Sequence, residues 1–195
     1  RKYDFLLAVD ECYADLYDRL PPAGALEVCA RTGLGLENVV VFHSLSKRSS
    51  VPGLRSGFVA GDGSVIDEFV RLRSYSAASV SLPVQAASAA LWSDDAHVEE
   101  ARQSYREKFD LAEQELSGKF GFYRPPAGIF LWLRTGDGVA ATQALWRQAA
   151  LKVMPGAYLA NGDGADNPGQ DYVRLAMVGD RDATADALRR ITDTL

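Results

Sequence analysis

The chain has 195 residues, of which 47% are hydrophobic and 24% charged, as expected for a globular protein with one large domain or two small ones. Its net charge of −5 argues against binding to nucleic acid or to an anionic membrane surface, and no apolar run approaches the roughly 20 residues that span a bilayer. Asp10 and Glu11 interrupt the first apolar run, so we do not expect it to be a signal peptide. Cys12 and Cys29 lack the spacing of metal ligands, which predicts reduced thiols in a cytoplasmic protein.

The first half of the sequence alternates apolar runs with helical patterns. Three continuous apolar runs predict strands that are covered on both faces of a sheet: 4–9, 38–42 and 56–61. Residues 24–33 predict a short helix that ends near Gly33, and residues 64–75 predict a second helix with Ser64 as its cap. Strands alternating with helices indicate an α/β layered domain. An apolar run this close to the first residue is typical of a piece of a longer chain, with a natural first strand as the alternative.

The second half begins with helices and then returns to alternation. Residues 84–92 and about 95–117 predict two helices. The longer one carries an apolar stripe at helical spacing, formed by Tyr105, Phe109, Ala112 and Leu116. The elements predicted after it are a strand at 128–134, a helix at 139–150, a short strand at 151–154, a Gly-, Asn- and Asp-rich loop at 161–171, a strand at 172–178, and a helix capped by Asp180 or Asp182. We therefore expect a second, smaller α/β unit.

Two of the predicted strands end in polar side chains of unusual chemistry. The first is followed by Asp10-Glu11-Cys12-Tyr13, and the second by Ser44-Leu45-Ser46-Lys47. Ligands of open α/β sheets bind beyond the carboxyl ends of strands, so neighbouring strands would bring Asp10, Tyr13 and Lys47 into one crevice.

This set of side chains matches the requirements of pyridoxal 5'-phosphate. The aldehyde of that cofactor needs a lysine, for which Lys47 is the candidate. Its ring nitrogen needs a carboxylate that keeps it protonated, and Asp10 is suited to that role. Tyr13 is a donor for the ring hydroxyl, and the phosphate calls for hydroxyl and guanidinium donors, supplied by Ser44, Ser46 and Arg55. Each residue alone has an ordinary structural explanation, and the order D-x-x-Y, S-x-S-K and arginine eight residues later favours the cofactor.

The motifs DECY, SLSK and VPGLRSGF resemble those of fold-type-I pyridoxal-phosphate enzymes, the class I/II aminotransferases. The resemblance implies that residues 1–95 are part of the large cofactor-binding domain, a mostly parallel sheet in α/β/α layers, and that residues 96–195 are the small C-terminal domain. It also implies a homodimer with the active site at the subunit boundary, near segment 73–82 with Arg73 or Tyr75. No nucleic acid, membrane or metal is expected as a partner.

The resemblance also implies a role for each candidate residue. Asp10 would pair with the ring nitrogen and Tyr13 with the ring hydroxyl, while Lys47 would bind the cofactor covalently and move a proton during the reaction. Ser44, Ser46 and Arg55 would hold the phosphate. GIFLWL resembles the strand that opens the small domain, and YVRLAMV resembles the strand whose arginine, here Arg174, grips the substrate α-carboxylate. For Arg174 alone, a solvent-facing strand arginine is the alternative.

Longer stretches, such as FHSLSKRSSVPGLRSGFVAGD, resemble the branch that acts on N-succinyl-L,L-diaminopimelate with 2-oxoglutarate and glutamate in lysine biosynthesis. Branches for aspartate, alanine or aromatic substrates share most of these motifs and stay open. The chain resembles only the C-terminal half of a typical member. Because the other half contributes to the phosphate and ring contacts in the family, we expect the 195 residues alone to bind the cofactor weakly or not at all.

Two other function classes compete with this interpretation. Ser44 to Lys47 also matches the S-x-x-K motif of serine acyl-enzymes, with Arg134-Thr135-Gly136 in place of K-T-G. Against it, no S-D-N element occurs, and the preceding strand with Pro52 and Gly53 behind predicts that no helix forms here. The second alternative is a non-enzymatic, ligand-sensing domain of the kind joined to transcription regulators.

Overall fold

The computed structural model describes residues 3–76 and 79–195, which form two compact units. The first unit ends at Arg102 and the second begins at Gln103. The predicted division lies at 95/96, where the long helix starts, whereas the units meet inside that helix. The assignment of the two parts to a large and a small domain stays a prediction.

The first unit contains a three-stranded sheet in the order β1-β2-β3 and five helices. The strands are β1 (Leu7–Asp10), β2 (Val39–Ser44) and β3 (Gly57–Gly61). The helices are α1 (Ala25–Thr32), α2 (Leu45–Arg48), α3 (Gly63–Ser76), α4 (Leu82–Trp92) and the first part of α5 (Ala96–Leu116). β1 and β2 are parallel, and β3 is an antiparallel edge strand, an arrangement common in mixed α/β sheets.

Burial differs between the strands of this sheet. Val40 and Val41 on the central strand β2 are 2% and 1% exposed, as the apolar pattern predicts. Leu7 on β1 is 44% exposed, so the expectation of cover on both faces is wrong for this strand within the described residues. The reason is that β1 is an edge strand of the sheet and carries an apolar surface that its own unit leaves open.

Local chemistry explains several element boundaries. Gly33 ends α1 in a left-handed conformation (φ 66°), as the sequence predicts. At the start of α3 the predicted cap is wrong: the Asp62 carboxylate, one residue before the helix, accepts hydrogen bonds from the Ser64 amide and hydroxyl at 2.9 and 2.7 Å. A hydrogen bond from the Asn38 amide, followed by these two bonds from Ser64, lowers the pKa of Asp62.

The second unit packs helices against one face of an antiparallel sheet in the order β4-β6-β5. Its strands are β4 (Phe130–Arg134), β5 (Met154–Pro155) and β6 (Tyr172–Ala176), and its helices are the rest of α5, α6 (Gly138–Ala149) and α7 (Arg181–Thr194). The core combines the predicted stripe of α5 with alternate strand residues, including Phe109, Leu116, Leu131, Leu133, Val173 and Leu188. Asp180 caps α7, which confirms the first of the two predicted caps.

Candidate active site

The candidate site lies at the edge of the first sheet where the parallel strands β1 and β2 end. Asp10 is the last residue of β1 and pairs in register with Phe42 of β2. The chain after β1 turns immediately, with the Ala14 amide bonded to the Glu11 carbonyl at 3.0 Å, and this turn contains Tyr13. Since β2 runs directly into α2, Asp10, Tyr13 and Lys47 follow two neighbouring carboxyl ends, as predicted from the strand order.

Lys47 lies on α2, a single helical turn where the sequence pattern predicts none. Ser44 caps this turn, because its hydroxyl oxygen accepts a hydrogen bond from the Ser46 amide at 3.1 Å. The Lys47 ammonium, Nζ, lies 5.7 Å from the centroid of the Tyr13 ring. The lysine and the phenol predicted to serve one cofactor are therefore neighbours.

The helical turn corrects one argument against an acyl-enzyme, since Ser44 and Lys47 are one turn apart after all. The contacts of the serine favour a different use. The Ser44 hydroxyl lies 2.9 Å from the Ser46 hydroxyl and 3.4 Å from the Ser56 carbonyl oxygen. It is thus engaged in closing its own turn, while the amine of Lys47 lies over an aromatic ring.

A backbone hydrogen bond links the segment that carries Arg55 to the turn that carries Ser44 and Ser46. The Ser56 carbonyl accepts the Leu45 amide at 3.1 Å, which joins the residue after Arg55 to the start of α2. Gly57 makes this approach possible, because a Cβ at that position would lie 2.3 Å from the His43 carbonyl oxygen. Arg55 is exposed, adopts a left-handed backbone (φ 50°), and donates from Nη1 to the Pro52 carbonyl at 2.9 Å.

Asp10 is held in its charged form. Hydrogen bonds from Cys12, through its thiol and its backbone amide (2.9 Å to Oδ1), lower the pKa of the Asp10 carboxyl, and the nearby His43 adds to the effect. A carboxylate that stays ionised is what a protonated ring nitrogen needs as its partner.

The pKa of the Cys12 thiol is shifted upwards, opposite to that of Asp10, and this leads to a prediction. Burial, together with the hydrogen bond and the negative charge of Asp10, raises the pKa of the Cys12 thiol to about 11. Because only the thiolate is alkylated, we expect iodoacetamide at pH 8 to label Cys12 in the cofactor-free native chain roughly 100-fold more slowly than an ordinary cysteine. Labelling should accelerate about tenfold per pH unit up to pH 11.

Mass spectrometry of native and urea-unfolded chain measures this difference at one residue, with unfolding expected to restore the ordinary rate. Asp10→Asn removes the charge that opposes the thiolate and should accelerate native labelling. Fast labelling of Cys12 in the native chain at pH 8 would contradict the environment described for Asp10.

A second polar pair lies beside the site and was not predicted. Glu11 Oε2 lies 3.0 Å from His43 Nε2, and Glu11 Oε1 accepts the Ala25 amide at 2.7 Å, at the start of α1. The His43 ring stacks on Phe58 at 4.9 Å. His43 therefore packs against Phe58 at the end of β2, and Glu11 serves as a remote cap for α1. No sequence spacing signals this cap, because the two residues are 14 positions apart.

Arg174 lies in the second unit, on the central strand β6. It pairs in register with Trp132 of β4 and Met154 of β5, while Val173 and Leu175 point into the core on the other face. Its guanidinium carbon lies 4.3 Å from the centroid of the Phe130 ring, an arrangement that restrains the side chain through a cation–π interaction. Arg174 is thus half-buried beside Phe130, on the sheet face opposite the core.

Three further expectations concern the subunit boundary, metal ions and membranes. Arg73 and Tyr75, near the predicted subunit boundary, are both exposed at the end of α3, and residues 77 and 78 of that segment lie outside the described residues. Across residues 3–76 and 79–195, no group of three His, Cys, Asp or Glu side chains is placed to hold a metal ion. None of the helices in this part of the chain combines the length and hydropathy needed to cross a membrane.

Comparison with known proteins decides the family. The family model of aminotransferase class I and II matches residues 1–191. The chain belongs to the class I and II aminotransferase family. An aminotransferase of Neisseria meningitidis of known structure is similar over 98% of this chain and 50% of its own, with a TM-score of 0.93 and 42% identity.

Curated relatives agree with this family assignment. A probable aminotransferase of Mycobacterium tuberculosis is 33% identical over 96% of the chain and 43% of its own length. The LL-diaminopimelate aminotransferase of Maridesulfovibrio salexigens is 26% identical over 98% of the chain and 49% of its own length. The chain spans about half the length of the curated relatives it matches. The predicted α/β fold of a partial fold-type-I transferase is confirmed.

The family depends on pyridoxal phosphate, and the residues at the β1–β2 edge fit that group. An ionised carboxylate ends β1, and the Lys47 amine lies 5.7 Å from the centroid of the Tyr13 ring. The Ser44 hydroxyl caps the turn that carries the amine, and the Ser46 hydroxyl lies 2.9 Å from it. These are the donor and acceptor types that the ring nitrogen, aldehyde, ring hydroxyl and phosphate require. The individual roles stay predictions.

Proposed function

We propose that this chain carries part of the active site of an aminotransferase, which moves an amino group from an amino acid to a 2-oxo acid. The observation that carries the proposal is the position of the Lys47 amine over the Tyr13 ring, at the sheet edge where Asp10 also ends its strand. Pyridoxal phosphate, when bound, supplies an aldehyde that reacts with amines and a ring that withdraws electrons.

We propose one role in the reaction for each candidate residue. Asp10 is kept charged by Cys12, so its carboxylate stabilises a protonated ring nitrogen. Tyr13 donates a hydrogen bond to the ring hydroxyl, and the hydroxyls of Ser44 and Ser46 with the guanidinium of Arg55 bind the phosphate. Lys47 would hold the cofactor through its amine, and the free amine would carry a proton from and to the substrate α-carbon as a general base and acid. Arg174 binds the substrate α-carboxylate in a bidentate pair.

For the substrate, we propose N-succinyl-L,L-diaminopimelate as the amino donor and 2-oxoglutarate as the acceptor, which places the protein in lysine biosynthesis. The long motif around Lys47 supports this choice, as does the similarity to an aminotransferase that acts on LL-diaminopimelate. We further propose a cytoplasmic homodimer with the active site at the subunit boundary. Cys12 and Cys29 are unpaired thiols, which supports a reducing compartment.

Half-reactions of the full-length protein encoded by the gene, loaded with pyridoxal phosphate, test both the proposed activity and the proposed substrate. Stopped-flow absorbance measures kcat/KM for N-succinyl-L,L-diaminopimelate, aspartate, alanine and phenylalanine separately. We expect the first to exceed the others by at least about tenfold, since buried polar groups left unpaired by a wrong substrate are costly. A higher value for another amino acid would overturn the substrate, and no conversion of any amino acid would overturn the activity.

A further inference from the structure

Arg48 directly follows Lys47 on α2, and it is one of the most buried charged residues of the first unit, with 5% of its surface exposed. Its guanidinium contacts four groups from two other segments. Nε lies 3.4 Å from Asp15 Oδ2. Nη1 donates to the Leu91 carbonyl at 2.7 Å and to the Asp94 carbonyl at 3.4 Å, and Nη2 donates to the Asp95 carboxylate. Only an arginine offers donors in a planar fork that reaches all of these groups at once.

The first of these segments is the turn that carries Tyr13. Asp15 lies two residues after Tyr13, and the turn is closed by a hydrogen bond from the Leu16 amide to the Tyr13 carbonyl at 2.9 Å. The contact between Arg48 and Asp15 therefore joins the two turns. Arg48 is one residue from Lys47, and Asp15 is two residues from Tyr13. The separation of 5.7 Å between the Lys47 amine and the Tyr13 ring depends on how these turns are held.

The second segment is the corner between α4 and α5. The Arg48 guanidinium carbon lies 5.0 Å from the centroid of the Trp92 ring. The corner therefore covers the flat face of the guanidinium with Trp92 and also binds its edge through the hydrogen bonds given above. The next residue, Ser49, is tied to the same corner, because its hydroxyl lies 2.8 Å from His97 Nε2. His97 Nδ1 in turn lies 3.0 Å from Asp94 Oδ2. Two consecutive residues after Lys47 thus fasten α2 to a neighbouring helix corner.

We propose that Arg48 and Asp15 form a positioning pair that sets the place of the Lys47 amine relative to Tyr13. The inference rests on the proposed function, since it matters for amino-group transfer only if Lys47 is the reacting amine. The pair does not touch the reacting atoms. It acts by fixing the turn that presents Lys47, and α2, with only four residues, has little helical stability of its own to do so.

Three variants of the full-length protein test this pair. Arg48→Lys keeps the charge and removes the fork, Asp15→Asn keeps the shape and removes the ion pair, and the third combines both. Arg31→Lys is the matched control, because Arg31 is an exposed helix arginine of the same unit that pairs with Glu27. Asp15→Asn guards against a failure of Arg48→Lys to fold, since the Asp15 side chain is 37% exposed.

We expect kcat to fall about 10- to 100-fold in Arg48→Lys and in Asp15→Asn, the range for a reacting group displaced by about 1 Å, with KM changed less than about twofold. The double variant should be no slower than the slower single variant, because both changes break one contact. The pH midpoint of the visible absorbance of the bound cofactor should also move in these three variants and stay unchanged in Arg31→Lys.

The outcomes separate the two proposals. Variants that lose thermal stability but keep kcat per bound cofactor and the same absorbance midpoint would overturn the positioning role and leave the function intact. Additive losses in the double variant would also overturn the pair. A wild-type protein that transfers no amino group and binds no cofactor at Lys47 would overturn the function, and the positioning role with it.

Discussion

Lys47→Ala will abolish amino-group transfer, with a loss in kcat of roughly 10⁴-fold or more, the upper range for a positioned proton-transfer group. The change removes the amine that both binds the cofactor aldehyde and carries the proton of the substrate α-carbon. It should leave the fold intact, because Arg48 and Ser49, which hold α2 to its neighbours, are untouched. Stopped-flow half-reactions of the gene-encoded protein measure the effect.

A covalent readout makes this prediction specific to one residue. Borohydride reduction followed by peptide mapping should find the cofactor on Lys47 in the wild-type protein and on no other lysine in Lys47→Ala. Lys119→Ala is the matched control, since Lys119 is exposed in the second unit and should keep full activity. Reduction onto Lys108 or Lys152 in the wild-type protein, or a variant with more than about 1% of the activity, would contradict the assignment.

Arg174→Lys will lower kcat/KM for the amino donor roughly 10- to 150-fold, the equivalent of losing a charged hydrogen bond. Lysine preserves the charge but not the planar fork, so the loss reports bidentate recognition of the α-carboxylate. Phe130 stacks on Arg174 at 4.3 Å, and this contact prepares the guanidinium for such a pair by restricting its rotamers. Steady-state kinetics with varied amino donor measure the change.

Two controls test the carboxylate directly. Arg134→Lys alters an arginine of the neighbouring strand whose side chain is 63% exposed and paired with Asp171, and it should have less than a twofold effect, about that of a surface ion pair. With a primary amine that lacks a carboxylate as the donor, wild type and Arg174→Lys should react equally well. An equal loss with both donors would show that Arg174 supports the fold of the sheet and does not bind the substrate.

Local patterns in the sequence were sufficient to predict most of the elements and the sheet edge that carries the candidate residues. Continuous apolar runs located β2 and β3, and helical spacing located the buried stripe of α5, because both signals arise within a few residues. Asp10, Tyr13 and Lys47 could be placed together because parallel neighbours end at one edge of a sheet.

What the sequence did not predict depends on partners far away in the chain. In the sequence, nothing distinguishes Arg48 from an ordinary surface arginine. Its burial arises from groups more than 30 residues before it and more than 30 residues after it along the chain. The turn α2 was missed because Pro52 and Gly53 suggested irregular structure, whereas the Ser44 cap stabilises one helical turn before them. Likewise, the unit boundary within α5 is invisible to periodicity, since one continuous helix belongs to both units.

The open surface of β1 has a practical consequence for work on residues 1–195 alone. Phe5, Leu6 and Leu7 are 57%, 49% and 44% exposed, and they lie on or directly before a strand with no further partner among the described strands. Such an edge favours self-association through strand pairing, which increases with protein concentration. Titrations of the separate chain with pyridoxal phosphate therefore need light-scattering records at several dilutions, so that material lost to oligomers is not counted as weak affinity.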